Sequence, residues 1–470
     1  MSEFGLASMR GIMGEANVGP SQNASTYMSE PHLHPWAQGK HYAGYGGFPR
    51  DSYTSSNQVG EATLFEIYLR PWLAVVSNGL RGVMASHNML LSEPMHGSKH
   101  FLTDVLRHRF GLGGGYIGSD SGNVKDLLDK YGVASSAEDA VGLWLNSGGD
   151  QAMDQLLESK LLNVTTLIER GLLSRAALDR AAGNILRVKF ASGLFDAPFT
   201  NRSSLALVDS AQARALARSA AEAGIVLLQN GATAGRQAML PLPDLGKGVK
   251  VAVLGALGGC VSRDPTVLCP AKMAFAGGYS DGYGDSTFRY LRIDTLTDAL
   301  RKRGATVEFS LGASPDWPAD PQNISAALMA ARSADIVILA LGDSACSHIH
   351  TCSCGEAADR ISLEAAGGQL ELLQAVLQEA GVLSKTVLVH IGGRPMTWPN
   401  NSASAGSFPA ILTAMVPGEE GAAAIVSVLA GDVSPSGRLT HTWVRSVGYV
   451  GTNSQPYAHK TRLGACSAHS

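Results

Sequence analysis

The sequence predicts an α/β protein with more than one domain, and three observations lead to that class. The chain has 470 residues, of which 45% are hydrophobic and 16% are charged, so it can fill substantial apolar cores. Short apolar stretches alternate with helical patterns along most of the length, as in β–α–β units. The 54 glycines suit tight turns and close packing of helices on strands. We therefore expect parallel sheets covered by helices.

Charge and hydropathy argue against several classes of partner. The net charge of −3 is small and the lysines and arginines are scattered, which disfavours binding to nucleic acid or to an acidic membrane surface. No apolar run approaches the about 18 residues that a membrane-spanning helix needs. Residues 1–5 lack the basic and apolar regions of a signal peptide. Nothing in the sequence indicates an oligomeric state.

The first half of the chain predicts one α/β domain at residues 35–200. Residues 1–34 show no periodicity, and we interpret them as a poorly ordered remnant. Strands are predicted at residues 36–42, 82–86 and 116–118, and a fourth at 141–145 or just after it, before Asp150. Helices are predicted from the apolar spacing between Leu64 and Val75, around residues 100–107, and after the N-cap Ser174.

The second half predicts another α/β domain at residues 225–445. Residues 201–224 are interpreted as a linker with an alanine-rich helix, and residues 446–470 as a polar tail. Strands are predicted at 225–228, 249–254, 307–311, 335–340, 386–391 and 410–415, with helices at 295–303, 325–332, 369–379 and 419–429. The largely continuous apolar character of these strands is typical of a parallel sheet buried on both faces.

Asp120 is the first candidate catalytic residue. A glycine-rich turn at residues 111–115 leads into the strand at 116–118, which ends just before this aspartate. In parallel α/β architectures the loops beyond the carboxyl ends of strands carry the chemistry, so a carboxylate at this place suits a reactive role. The alternative interpretation is a surface aspartate that begins a turn before Ser121.

Glu356 is the second acidic candidate, in a loop that follows the strand at residues 335–340. Two carboxylates from different domains match the need of glycoside hydrolysis, in which one acid protonates the departing oxygen and the other carboxylate attacks the anomeric carbon. In a retaining enzyme the two groups are about 5 Å apart. Lys40, His41 and His87 lie at strand ends and would donate hydrogen bonds to sugar hydroxyls. The ordinary alternatives are an ion pair for the lysine, core positions for the histidines and a solvated Glu356.

Eight short motifs follow one another in an order typical of a single enzyme family. They include Lys-His-Tyr-Ala-Gly-Tyr-Gly at residues 40–46, Val-Met-Ala-Ser-His-Asn at 83–88 and Ser-Asp at 119–120. The others are Leu-Thr-Asp-Val-Leu-Arg at 102–107, Gly-Leu-Phe-Asp at 193–196, Gly-Gly-Arg-Pro at 392–395, Pro-Gly-Glu-Glu-Gly at 417–421 and Pro-Ser-Gly-Arg-Leu at 435–439. Over residues 39–447 the chain thus resembles glycoside hydrolase family 3.

The resemblance implies a retaining, exo-acting β-glycosidase with a TIM-type (β/α)8 barrel followed by an α/β sandwich with a mainly parallel sheet. Asp120 matches the nucleophile, and Glu356, in a Gly-Glu-x-x-Asp-Arg setting, matches the acid/base of the second domain. Lys40 and His41 match the pair that holds the non-reducing sugar. The implied partner is an oligosaccharide or glycoside, no metal or organic cofactor is needed, and the implied location is extracellular or vacuolar.

The chain also departs from the family pattern. It has four predicted strands before residue 160, whereas closure of such a barrel takes eight, so we predict only the C-terminal half of a barrel. A frequent tyrosine is His87 here, and no room is left after residue 447 for a fibronectin-like domain. A catalytically impaired remnant with at most weak carbohydrate binding is therefore the alternative. Tyr53, in Asp-Ser-Tyr, replaces a histidine of the related N-acetylglucosaminidases, which favours a β-glucosidase or β-xylosidase.

Two further patterns suggest other kinds of site. Residues 346–354 alternate cysteine and histidine with other residues, but their spacing matches no usual zinc pattern, so we favour a disulfide or buried thiols near Glu356. The strand at 249–254 enters a glycine turn, yet the turn lacks the Gly-x-Gly-x-x-Gly spacing and no helix follows, which disfavours dinucleotide binding. Six cysteines in so long a chain predict no disulfide framework.

Overall fold

The chain divides into two compact units, Met1–Arg202 and Ser203–Ser470. The computed structural model describes residues 1–19, 34–45, 56–57, 59–153, 163–199, 201–231, 238–243, 245–246, 248–262, 269–277, 293–344, 353, 362–397, 407–444 and 447. Both units combine parallel strands with helices, which agrees with the predicted α/β class.

The first unit is built on a parallel three-stranded sheet. The strands of the first unit in chain order are β1 (Gln38–Tyr42), β2 (Ser56–Asn57), β3 (Gly82–Ala85), β4 (Met89–Leu90), β5 (Glu93–Pro94) and β6 (Tyr116–Gly118). The main sheet has the order β1–β3–β6, and β2, β4 and β5 form a separate small sheet. One further parallel bridge joins Gly118 to Gln151, so the chain runs beside β6 again at this point.

Helices of the first unit share an apolar core with the main sheet. They are α1 (Ser2–Met13), α2 (Glu61–Thr63), α3 (Arg70–Ser77), α4 (Asn123–Asp129), α5 (Ala137–Ser147), α6 (Val164–Glu169) and α7 (Arg175–Ala191), with π-helical turns at Leu64–Tyr68 and His100–Arg109. Val83 and Ile117 of the sheet are fully buried in the core that these helices share. Ser174 caps α7 by accepting a hydrogen bond from the Ala177 main chain, as the sequence predicts.

The prediction for the start of the chain is wrong over α1 and the 3-10 turn Glu15–Asn17. Met9 and Met13, one helical turn apart, are buried in the core of the first unit. Gly5 lies against Val75 of α3, so the two helices approach closely. Glycines within α1 conceal its apolar spacing in the sequence, and this is why no helix is predicted there.

The prediction of a strand at residues 141–145 is also wrong, because this run lies inside α5. Val141 and Trp144 are buried on the inner side of the helix. A short apolar run fits a buried helix as well as a buried strand, and the N-cap decides between them. Ser136 accepts a hydrogen bond from the main chain of Asp139, which begins the helix.

The second unit contains a six-stranded sheet in the order β7–β12–β11–β10–β8–β9. Its strands are β7 (Val226–Asn230), β8 (Lys250–Leu254), β9 (Thr306–Ser310), β10 (Ile336–Gly342), β11 (Thr386–Ile391) and β12 (Ala410–Thr413). All neighbours pair in parallel except β7, which is antiparallel to β12. The central strands β10 and β11 are buried along their whole length, as expected for a sheet covered on both faces.

Two apolar cores lie on the two faces of this sheet. The helices of the unit are α8 (Ala211–Gly224), α9 (Pro270–Ala276), α10 (Leu296–Arg303), α11 (Pro321–Ser333), α12 (Gln369–Gln378), α13 (Ala380–Leu383) and α14 (Gly421–Ala430). The helix α8 packs against α14 and so belongs to the second unit, where the sequence predicted a linker. Among the described helices, none has the length and apolar character to cross a membrane.

Candidate active site

Three strand ends of the first unit bring the candidate site together. His41 lies in β1, His87 follows β3, and Asp120 follows β6. The strands are in parallel register, with Gly82 opposite both Gln38 and Tyr116. Carboxyl ends of parallel strands meet at one edge of a sheet, so residues far apart in sequence become neighbours there.

The two imidazoles hold one oxygen of Asp120. His41 Nε2 and His87 Nε2 each lie 3.0 Å from Asp120 Oδ2. Because a carboxylate oxygen only accepts, each imidazole donates from Nε2. The other oxygen, Oδ1, accepts a hydrogen bond of 2.8 Å from the Ser121 main-chain N–H. The Asp120 side chain is 15% exposed, so it is largely shielded from water and still reachable.

These contacts set the ionisation of Asp120. Burial alone raises the pKa of its carboxyl group, but hydrogen bonds from His41, His87 and Ser121 outweigh burial and hold that pKa well below its usual range. Asp120 is therefore ionised at neutral pH, which is the state that a carboxylate nucleophile needs.

Tyrosines surround the two histidines. The ring centre of Tyr45 lies 5.2 Å from that of His41 and 5.7 Å from that of His87. The Tyr131 hydroxyl donates to the main-chain oxygen of His87. This aromatic surrounding limits the positions that the imidazoles can take beside Asp120.

A third histidine, His96, contacts the main chain of Asp120. Its Nε2 lies 3.3 Å from the Asp120 main-chain nitrogen, whose N–H it accepts. His96 is 1% exposed, and its ring lies 5.0 Å from the ring of Trp144 in α5. No sequence pattern points to this residue, because it lies in the short 3-10 turn Met95–Gly97, outside the family motifs.

The turn before β6 is fixed by close packing. A Cβ atom on Gly115 would lie 2.7 Å from the main-chain oxygen of Arg81, so only glycine fits there. Arg107 donates to the main-chain oxygens of Gly113 and Gly115 at 2.9 and 2.8 Å. It donates as well to the Gly148 oxygen at 2.7 Å. One buried side chain thus ties the entrance of β6 to the end of α5.

Arg107 also pairs with Asp150, whose side chain is fully buried. Burial lowers the pKa of Arg107 and raises that of Asp150, and their mutual attraction opposes both shifts. Asp150 Oδ2 accepts from the Ile117 main chain at 2.8 Å, and its Oδ1 accepts from Asn184 in α7 at 3.1 Å. The pair therefore anchors β6 directly, three residues before Asp120.

The structure does not bring every predicted site residue together. Lys40 is exposed on β1 and, among the described residues, forms no ion pair. Glu356 lies outside the described residues. His87, predicted to donate to sugar hydroxyls, donates from Nε2 to Asp120.

Ser353, three residues before Glu356 in sequence, lies beside the carboxyl end of β10. Its hydroxyl accepts from the Ser344 main chain at 3.0 Å, and its main-chain oxygen accepts from Arg394. The Arg394 Nε lies 3.0 Å from Asp343 Oδ2. These residues of the second unit hold Ser353 at the edge of the sheet where ligands of α/β proteins commonly bind.

The remaining sequence patterns concern metal ligands and cysteines. No group of three or more His, Cys, Asp or Glu side chains there is arranged to hold a metal ion. Cys346, Cys352 and Cys354 lie outside the described residues. A disulfide joins Cys260 and Cys269 in the second unit, a pair that the sequence analysis did not single out.

The chain matches two family models in sequence order. Residues 3–188 match the Glycosyl hydrolase family 3 N terminal domain, and residues 225–467 match the Glycosyl hydrolase family 3 C-terminal domain. The first match includes α1, which the sequence analysis had left out of its first domain.

Curated relatives carry the names of two related enzymes. A periplasmic beta-glucosidase of Salmonella typhimurium is 31% identical over 432 residues, which are 87% of this chain and 52% of that protein. A beta-xylosidase of Formosa agariphila is 29% identical over 462 residues, 96% of this chain and 58% of that protein. The chain thus spans about half the length of the curated relatives that it matches.

Solved structures show the same likeness. A β-glucosidase from Erythrobacter marinus is 30% identical with a TM-score of 0.75, covering 95% of this chain and 57% of that one. The β-glucosidase from Listeria innocua in complex with isofagomine is 25% identical with a TM-score of 0.76, covering 96% and 56%. These neighbours confirm the predicted α/β class with barrel-type and sandwich-type domains. By its family matches and its relatives, this chain belongs to glycosyl hydrolase family 3.

Proposed function

We propose that this chain is a retaining, exo-acting β-glycosidase that releases terminal β-D-glucosyl or β-D-xylosyl residues, with Asp120 as nucleophile and Glu356 as acid/base. The observation that carries the proposal is the pair of imidazole donors on one oxygen of Asp120, which keeps a shielded carboxylate ionised at the carboxyl edge of a parallel sheet. The family membership supports it, since the relatives are named β-glucosidases and β-xylosidases.

In the first step, an Asp120 oxygen bonds to the anomeric carbon as the bond from that carbon to the departing oxygen breaks. The carboxylic acid of Glu356 gives its proton to the departing oxygen, so the alcohol leaves neutral. The product is an ester between the sugar and Asp120, and Glu356 is left as a carboxylate. Asp120 starts this step in the right state because its pKa is lowered.

In the second step, water attacks the anomeric carbon and the ester bond to Asp120 breaks. Glu356 takes the proton of the water and returns to its acid form, while Asp120 regains its charge. Two inversions at the same carbon give a sugar with the original β configuration. The cycle uses two carboxylates and needs no metal or organic cofactor.

We propose that Lys40 and His41 bind the non-reducing sugar by donating hydrogen bonds to its hydroxyl groups. Lys40 is exposed and adjoins His41 in β1, and its ammonium group carries three donors. His41 is 22% exposed, which leaves part of its ring within reach of a ligand. The solved relatives from Listeria innocua hold glucose or laminaribiose, which supports a carbohydrate as the ligand of this chain.

We also propose an oxidising compartment, outside the cell or in a vacuole, as the place of action. Disulfides persist mainly in such compartments, and Cys260 is bonded to Cys269. Relatives are named as periplasmic and lysosomal enzymes, which points in the same direction.

Hydrolysis of p-nitrophenyl β-D-glucoside and β-D-xyloside by the purified full chain tests the function. The expected result is turnover by the parent protein, release of the β anomer first in proton NMR spectra, and loss of turnover in Asp120→Asn. A folded parent chain that hydrolyses neither substrate would exclude the catalytic proposal.

A remnant with weak carbohydrate binding is the second candidate, and one observation favours it. The main sheet of the first unit has three strands and one bridge among the described residues, whereas a closed barrel has eight strands. Calorimetric titration with glucose and laminaribiose separates the two functions: binding without turnover supports the remnant.

A further inference from the structure

His96 makes a contact with the candidate nucleophile that the two-step mechanism does not use. Its Nε2 accepts the main-chain N–H of Asp120, whereas His41 and His87 hold the carboxylate of that residue. The side chain is 1% exposed, so neither substrate nor solvent is its partner. Its only hydrogen-bond partner among the described residues is the Asp120 peptide.

A hydrogen-bond acceptor at this place must be a neutral imidazole. Burial, with a smaller contribution from His87 and against the attraction of Asp120, lowers the pKa of His96 to about 3. Nε2 therefore keeps its lone pair at every pH at which a glycosidase of this kind works, and the ring proton lies on Nδ1.

The position of His96 is itself fixed from two elements. The next residue, Gly97, accepts a hydrogen bond of 2.8 Å from Ser147 at the end of α5. The indole of Trp144 in α5 packs beside the imidazole, with 5.0 Å between the ring centres. Gly149 packs tightly on the other partner of this contact: a Cβ atom on Gly149 would lie only 2.0 Å from the Trp144 indole, so the indole is held in place. A helix that packs behind the site thus sets the location of Nε2.

The residues on either side of Asp120 are held by the chain that runs beside β6: the Ser119 N–H donates to the Gln151 oxygen at 2.8 Å, and the Gly122 N–H donates to the Met153 oxygen at 3.1 Å. The other contacts of Asp120 with the main chain are local. The Asp120 oxygen accepts from Asn123 in the next turn at 3.4 Å, and its own carboxylate accepts from Ser121. These contacts move with the loop. The His96 contact ties the loop to a different part of the fold, and it acts on the peptide from which the Asp120 side chain extends.

We propose that His96 is a positioning residue for Asp120, which aims the carboxylate by holding the Ser119–Asp120 peptide through Nε2. The proposal rests on the proposed role of Asp120 as nucleophile and adds a residue to that role. A misplacement of a reacting group by about 1 Å costs about 100-fold in rate. A buried histidine that only fills space would have no such effect on rate once the fold is intact.

Three variants separate positioning from packing. His96→Gln keeps an acceptor at a similar distance, His96→Leu removes it, and His100→Leu changes an exposed histidine of the neighbouring helical turn as a control. We expect His96→Leu to lower kcat on nitrophenyl substrates about 100-fold with KM within about twofold. His96→Gln is expected to recover most of kcat, and His100→Leu to keep all of it.

Equal losses in His96→Gln and His96→Leu at equal thermal stability would overturn the proposal, as would a rise of KM at unchanged kcat. A second readout does not depend on activity. In 15N-histidine-labelled protein, long-range proton–nitrogen spectra should show His96 as the neutral Nδ1–H form from pH 5 to 8. The amide proton of Asp120 should shift in His96→Leu more than in His96→Gln.

A proton on Nε2, or a titration of His96 within that pH range, would overturn the inference even if the parent chain hydrolyses its substrates. If the parent chain hydrolyses nothing, the proposed function fails, whereas the spectra still decide whether His96 holds Asp120. The two failures are therefore distinguishable.

Discussion

Asp120 is kept ionised by side chains that lie 79 and 33 positions before it in the sequence, His41 and His87. Burial of the carboxylate works against its charge, and the donated hydrogen bonds reverse that effect. Hydrogen bonds to a charged group are worth about 1.5–3 kcal/mol each. Removal of one imidazole therefore raises the pKa of Asp120 toward its usual range.

The first prediction concerns His87→Phe, which removes one donor and keeps an aromatic ring beside Tyr45. A higher pKa of Asp120 means that the carboxylate takes up a proton at a higher pH, so we expect the acid limb of kcat/KM to move upward in pH. At neutral pH Asp120 stays ionised in the variant, and we expect kcat/KM to fall about tenfold there because one of the two groups that position the carboxylate is lost.

The pH–rate profile on nitrophenyl glucoside measures this shift, with His100→Phe as the control for an exposed histidine. An unchanged acid limb in His87→Phe, with normal folding, would show that the imidazole does not control the charge of Asp120.

The sequence predicts part of this site for a clear physical reason. Strand ends are visible as apolar runs, so Asp120, His41 and His87 can be placed at one edge before any coordinates are known. Which atoms meet is not visible, and so His87 is predicted as a sugar donor although it contacts Asp120. His96 cannot be predicted, because its role depends on a main-chain contact in a loop without periodicity.

At the scale of elements, the ion pair of Arg107 and Asp150 anchors β6 and the glycine turn before it. Arg107 reaches from the helical turn His100–Arg109 to the glycine turn, and Asp150 accepts from the β6 main chain and from α7. Both side chains are almost completely buried. Removal of one partner leaves the other charge poorly compensated in the interior. This costs more free energy than the replacement of both partners by apolar residues.

The second prediction concerns Arg107→Met. The buried Asp150 then keeps only Arg180, 3.7 Å away, as a cationic partner. We expect the free energy of unfolding of the first unit to fall by about 3 kcal/mol, the lower end of the range for a broken buried pair. Urea denaturation followed by tryptophan fluorescence measures the change, since Trp144 belongs to the same core.

Arg175→Met is the matched control, because Arg175 pairs with Asp179 on the exposed face of α7. The control is expected to leave the unfolding midpoint unchanged. Equal stability of Arg107→Met and the parent chain would contradict the role assigned to the buried pair.

Apolar sequence patterns predict the wrong secondary structure where a buried helix and a buried strand would look alike and only a helix cap distinguishes them. The run at residues 141–145 is apolar throughout, and only the cap at Ser136 marks it as helix. In α1, Gly5 and Gly11 interrupt the pattern although Met9 and Met13 are buried. The strands of the second unit are predicted more closely, because β8, β10, β11 and β12 are largely apolar runs.

At the scale of the whole molecule, each unit has its own core and its own fully buried histidine. His96 lies in the first unit and His390, in β11, in the second. Burial lowers the pKa of His390 to about 4, opposed by Asp343 and assisted by His441. An unfolded histidine takes up a proton near pH 6.5.

The third prediction follows from this difference. Between about pH 6.5 and 4 the unfolded state binds a proton that the folded state does not, so acid favours unfolding. Stability from the neutral His390 is complete above pH 6.5 and is lost as the pH falls toward 4. His390→Gln cannot titrate, and we expect it to reduce the loss of stability between pH 7 and 4.5 by up to about 3 kcal/mol.

Chemical denaturation at the two pH values measures this loss, with the exposed His100→Gln as control. The same pH dependence in His390→Gln and in the parent chain would mean that acid sensitivity arises elsewhere.

The central claim is that Asp120 becomes covalently bonded to the sugar, and a mechanism-based label tests it most directly. The full chain is incubated with 2-deoxy-2-fluoro-β-D-glucosyl fluoride, which forms the ester quickly and releases it slowly, and the labelled peptide is identified by mass spectrometry. We predict one label per chain, on Asp120, and none in Asp120→Asn. The corresponding 2-deoxy-2-fluoro-β-D-xylosyl fluoride is used in a parallel incubation. A label on another carboxylate, or a folded parent chain that neither reagent labels, would contradict the account.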